Sequence, residues 1–135
     1  MAMSSRWDLV ALKQGAGVTL AFAVPFSVLA RILHDNDGNN SFVVPLVLAA
    51  IVGFVLGAGV AAWRQRSNTP LSHGIVTAAG TYTAVQGTLV VINLIRGAQI
   101  SWFALLFNLT VTLAAGLMGG FLGMALQRQG LEPRR

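Results

Sequence analysis

Long uncharged apolar stretches, separated by short polar clusters, dominate the chain. Residues 15–30, 42–63, 74–95 and 102–126 contain no Asp, Glu, Lys or Arg. A helix that crosses the hydrocarbon core needs about 20 mostly apolar residues, each rising about 1.5 Å. The last three stretches reach that length alone. The first reaches it when residues 9–12 are added and Lys13 snorkels to the interface. The pattern predicts transmembrane helices over about 11–33, 42–63, 74–95 and 102–126. The expected fold is all-α: a single integral membrane domain of four helices, arranged as two helical hairpins in tandem.

An AxA-like site at Ala21–Ala23 follows Arg6 and Lys13, as in a cleaved signal peptide. The apolar run before it is short and continues past it to Ala30, so cleavage is not expected. Composition agrees with a membrane protein. Of 135 residues, 55% are hydrophobic and 10% charged, whereas a soluble domain carries about 25% charged residues. With no cysteine, thiol-based metal and redox chemistry is excluded.

The net charge is +5, but its distribution points to membrane topology and not to nucleic acid. Arg6, Lys13, Arg64, Arg66, Arg128, Arg134 and Arg135 flank one side of the expected bilayer, and only Arg31 and Arg96 flank the other. An excess of Lys and Arg in short loops marks the cytoplasmic side. Both termini and the loop RQRSNTPLSH are therefore expected in the cytoplasm, with the protein in the cell membrane. The same basic rim can attract anionic lipid headgroups, by about 1 kcal/mol per residue near the surface.

On the opposite side, HDNDGNNS (residues 34–41) alternates Asp35, Asp37 and Asn39 as a calcium loop does. Asn40 occupies the position of the required glycine and Leu46 that of the closing glutamate. A turn is expected there, not an ion site.

Small residues recur at helical spacing in every span. The last helix carries Asn108, Thr112, Ala115, Gly119 and Gly123 on one stripe, with Gly116 and Gly120 beside it. The second carries Ala50, Gly53, Gly57 and Ala61. The first carries Ala16, Thr19, Ala23, Ser27 and Ala30, and the third Gly80 and Gly87. Helices in lipid associate by close van der Waals contact, which small residues permit. Gly53, Gly57, Gly116, Gly119, Gly120 and Gly123 are thus the expected packing positions. They serve the chain's own bundle, or leave one seam for a second copy or another membrane protein. AAIVGFVLG (49–57) also aligns with AGLMGGFLG (115–123), a faint repeat of the two hairpins.

Candidate chemistry is sparse. Ionisable side chains within a span mark function because burying them is costly. Here only Tyr82, neutral at pH 7, lies inside a span. His34 and His73 sit at helix ends on opposite sides. No catalytic residue, metal site or cofactor is expected, and the protein is not expected to be an enzyme. What remains is neutral polarity. Tyr82, Gln86 and Asn93 lie near one face of the third helix, and Asn108 enters at comparable depth on the fourth. Such a cluster is either interhelical glue, about 0.6–2 kcal/mol per bond, or the lining of a small channel or transporter.

Gly53 and Gly57, Arg64 and Arg66, then Leu71-Ser72-His73-Gly74 and the glycines from Gly116 to Gly123 together resemble short bacterial four-span membrane proteins of unknown function, the YrzE-like family. The resemblance spans nearly the whole chain and implies architecture without catalytic residues. GGFLGMALQR is also similar to a GGxxGxxxR element of fluoride channels, which there lies at the N-terminus. AWRQRSNTP is similar to an inner loop of four-span ATP-synthase accessory proteins, whose third helix bears Glu and Lys absent here.

The expected function is therefore a non-enzymatic accessory or assembly subunit, or a homo-oligomer, acting through helix packing. The alternative is a channel or transporter for an ion or small solute. The topology is open to direct measurement because the chain lacks cysteine. On intact cells an impermeant maleimide should label Gln99→Cys at once and Ser67→Cys only after permeabilisation; the reverse order would invert the assignment.

Overall fold

The computed structural model describes residues 7–37 and 41–131, with side chains at all of these except 34–37. The chain forms α1 (Leu9–Asp37), α2 (Val43–Arg64), α3 (Pro70–Ile95) and α4 (Trp102–Arg128), with no strand among the described residues. All four helices are long and apolar enough to cross a membrane. The ion-loop pattern at 34–41 falls almost entirely outside the described side chains.

Helix ends follow local chemistry. Asp8 Oδ1 accepts the Ala11 N–H at 3.2 Å and so caps α1. α1 runs on to Asp37, into the segment expected as a turn, because neither Gly nor Pro interrupts 26–37. Pro25 lies inside this helix without ending it. α3 begins four residues earlier than the apolar run suggests. Pro70 occupies its first turn, where a missing N–H costs nothing. α3 and α4 each stop at a glycine in the left-handed region, Gly97 (φ 69°) and Gly130 (φ 76°). Beyond them Ala98 N–H reaches Asn93 O at 2.9 Å and Leu131 N–H reaches Leu126 O at 3.2 Å, the bonds that close a glycine-capped helix.

The bundle has a diamond section. α2 touches all three other helices, and α3 also touches α1 and α4, while α1 and α4 do not meet. α2 and α3 thus form the short diagonal. The interior consists almost wholly of small side chains: Ala11, Ala23, Ala30, Ala50, Ala58, Ala61, Ala62, Ala78 and Ala115, with Thr19, Thr77, Thr81 and Thr112. Tyr82 is the one large apolar side chain buried among the described residues. Large side chains point outward instead, with Phe103 81% and Ile95 80% exposed. A soluble fold buries such groups. This reversed distribution on four spanning helices is that of a multi-pass membrane protein.

Close packing is concentrated toward the end that carries the α1 N-terminus and the α2–α3 loop, here termed the basic end. Buried positions on α3 stop at Tyr82, and those on α4 begin at Thr112. Toward the other end α1 and α2 still bury Ala30 and Ala50.

A side chain added at Gly57 would overlap Thr19 Oγ1, whereas nothing lies within 4 Å of the corresponding position on Gly80. Gly57→Ala should therefore destabilise the fold by about 1–3 kcal/mol, the usual cost of overpacking. Gly80→Ala should stay within about 0.5 kcal/mol. Thermal unfolding in a single detergent compares the two.

Candidate functional site

Two sets of residues carry specific geometry: the glycine contacts between helices, and a polar network at the basic end. On α2, Gly53 and Gly57 face α1. A Cβ on Gly53 would stand 2.5 Å from Phe22 Cβ. One on Gly15 would stand 2.5 Å from Gly57 O and 2.7 Å from Ala61 Cβ. The α1 seam therefore runs through Ala11, Gly15, Thr19, Ala23 and Ala30. Ala16 is only half-buried and Ser27 is exposed, contrary to expectation. Thr19 turns its hydroxyl back to Gly15 O at 3.0 Å, which satisfies it inside the contact.

α4 carries two seams, not one. Gly119 and Gly123 face α2, where a Cβ on Gly123 would meet Ala62 Cβ and Gly59 O at 2.6 Å. Gly116 and Gly120 face α3, against Ala78 Cβ at 3.0 Å and Leu71 Cα at 3.2 Å. The glycines aligned by the internal repeat are thus not equivalent. Gly53 and Gly57 contact the partner helix of their own hairpin, whereas Gly119 and Gly123 contact the other hairpin. On α3 the residue in close contact is Gly74, 2.8 Å from Gly116 O and from Gly120 Cα by the same measure. Gly80 and Gly87, expected as the α3 seam, have no neighbour within 4 Å. They lie on the outward face.

The neutral polar residues do not form one site. Tyr82 is buried, and its hydroxyl donates to Leu105 O at 2.8 Å, joining α3 to α4. Its ring lies 6.5 Å from that of Phe54 on α2. Gln86 and Asn93 are half-buried, whereas Asn108 is exposed. Among the described residues no hydrogen bond links Gln86, Asn93 and Asn108. The reason is tertiary: Asn108 is exposed, although Tyr82 reaches Leu105 O about one turn farther from the basic end along α4.

The polar interactions gather instead at the basic end, on residues that periodicity did not select. His73, in the first turn of α3, is fully buried. Its Nε2 accepts the Asp8 N–H at 2.9 Å, and its Nδ1 lies 2.8 Å from Thr69 O and 3.1 Å from Thr69 Oγ1. An amide N–H only donates and a carbonyl only accepts. The geometry thus uses Nε2 as acceptor and Nδ1 as donor. The Trp7 ring covers it at 5.4 Å. Asp8 also accepts the Arg66 N–H through Oδ2 at 3.1 Å. One short segment thus ties the start of α1 to the α2–α3 loop.

A glutamine clasp completes the network. Gln65 is only 3% exposed. Its Oε1 accepts the N–H groups of Ser67 (2.8 Å) and Thr69 (3.1 Å), folding the loop around it. Gln127 on α4 donates to Trp63 O at 2.8 Å and to Gln65 O at 3.0 Å. Trp63 Nε1–H in turn donates to Leu131 O. Arg64 reaches Gln14 Oε1 on α1 at 3.0 Å. The available signal in the sequence was positional: Gln14, Gln65 and Gln127 all sit where apolar helices meet the same polar side.

Among the described residues no group of three or more His, Cys, Asp or Glu side chains stands close enough to hold a metal. Compared with family models, curated proteins and solved structures, the chain matches none. The arrangement offers donors and acceptors consumed in holding helix ends together.

Losing a buried partner leaves others unpaired, at about 1–3 kcal/mol each. Gln65→Leu should therefore lower the thermal midpoint clearly, while Asn108→Leu should leave it nearly unchanged. Thr77 Oγ1 is buried without a partner, so Thr77→Val should equal or exceed the parent in the same unfolding assay.

Proposed function

We propose that this multi-pass membrane protein resides in the cell membrane with both termini in the cytoplasm. It works through helix packing, as a non-enzymatic accessory or assembly subunit or as a homo-oligomer. The observation that supports this reading is the outward face of α3. Six glycines of α2 and α4 are used up in contacts within the bundle, but Gly80 and Gly87 touch nothing. With exposed Ala84 between them they form a stripe of small residues at helical spacing. A stripe of small residues lets another backbone come close. On α3 we assign that backbone to a helix of a second copy or a partner subunit.

The YrzE-like resemblance fits the same architecture and adds no catalytic group. Transport through Gln86, Asn93 and Asn108 is the rival, and the separation of these residues weakens it.

Gly87→Leu tests the reading. The parent should run as an assembly in mild detergent and crosslink to a neighbour in native membranes. The variant should lose both properties while its helical content by circular dichroism stays unchanged. A parent that is strictly monomeric and traps no neighbour would end the proposal. Liposomes bearing the protein should show no ion or solute flux above empty ones; flux abolished by Gln86→Leu would favour the rival.

A further inference from the structure

Outside the packed interior, α1 and α2 form a shallow, open groove of about 510 Å³ near the basic end. From the structure we infer that it is a binding site for one anionic phospholipid of the adjacent leaflet, independent of the α3 face. Its α1 wall includes Gln14, Gly17 and Ala21, with Val18 and Phe22 beside them, and its α2 wall is Val60, Trp63 and Arg64. On α1 the spacing of three and four residues puts these positions on one face. Ala21 lies about 10 Å deeper along the helix than Gln14, at about 1.5 Å per residue.

The groove is graded in polarity along that depth. Arg64 and Gln14, hydrogen-bonded to each other at 3.0 Å, stand at the polar end. Below them the lining is Gly17, Val18, Ala21, Phe22 and Val60, without a polar side chain. Trp63 lies between the two regions, its indole N–H anchored on Leu131 O. Tryptophan favours this interfacial depth. A phospholipid has the same order: a charged phosphate above an apolar chain.

Two features select the occupant. Gly17 is exposed, and a Cβ there would meet nothing within 4 Å. This open floor lets a chain lie against the backbone. Charge then selects an anionic headgroup. Lys13 is exposed one turn from Gly17, and with Arg64, Arg66 and Arg128 it outnumbers Asp8, the acidic residue described at this end. A zwitterionic headgroup would bring its own cation against that field.

The full chain in nanodiscs of equimolar phosphatidylglycerol and phosphatidylcholine, released for native mass spectrometry, tests the inference. The parent should retain one lipid, with phosphatidylglycerol favoured about fivefold, the size expected of one basic residue near the surface. Gly17→Leu should abolish retention. Met118→Phe, at an exposed position on α4, should not change it. Arg64→Gln should keep a bound lipid but lose the preference. On the unmodified chain, phosphatidylglycerol with a photoreactive acyl chain should label Ala21 and Val60, a readout independent of how any variant folds. Equal retention of both lipids by the parent, retention unchanged in Gly17→Leu, or labelling spread evenly around the bundle would overturn it. Loss of self-association in Gly17→Leu with lipid retained would assign the groove to a second copy instead.

Discussion

Close approach of helix backbones is the interaction on which this structure depends. Lipid tails are as apolar as leucine, so burying a large side chain between helices gains nothing over leaving it outside. What remains is dispersion, which is short-ranged and collectively large only when surfaces fit. Gly15 against Gly57 and Ala61, and Gly123 against Gly59 and Ala62, bring backbones close enough for that. The interior of alanine, threonine and glycine follows from this requirement, as does the shell of leucine, valine and phenylalanine around it.

Polar groups are confined by the same solvent. A hydroxyl in hydrocarbon gains from an internal acceptor; Thr19, Thr88, Thr110 and Thr112 each find one in the carbonyl four residues earlier, and Thr77 does not. Those bonds satisfy the side chain but specify no neighbour. Specific polar joints between helices form mainly at the basic end, where Asp8, His73, Gln65 and Gln127 bond across three helices and a loop. The bundle is therefore held in two ways: by shape along its length, and by directional bonds at one end. Toward the opposite end α3 and α4 contribute no buried residue past Tyr82 and before Thr112.

Much of this was legible from the chain alone because length and charge are one-dimensional properties. Each uncharged run became one helix, and Pro70, Gly97 and Gly130 act at helix ends through local backbone chemistry. The site was less legible. A helical wheel gives the angle of Asn108 about its axis but not the side of α4 on which its neighbours lie. The same holds for Gly80 and Gly87, whose spacing marks a face without saying what the face meets. His73 read as a terminal histidine because its partners, Asp8 and Trp7, lie 65 and 66 positions away in the chain.

The residues by themselves determined that four helices span the bilayer and that small residues lie between them, since both follow from transfer between water and lipid. Tertiary structure alone decided which seam meets which helix. Gly53 and Gly119 occupy matching places in a repeat, yet one faces α1 and the other α2. In a diamond section with α2 and α3 on the short diagonal, the two hairpins have different neighbours. Packing is a property of pairs of surfaces, and one helix's sequence describes only one surface of each pair.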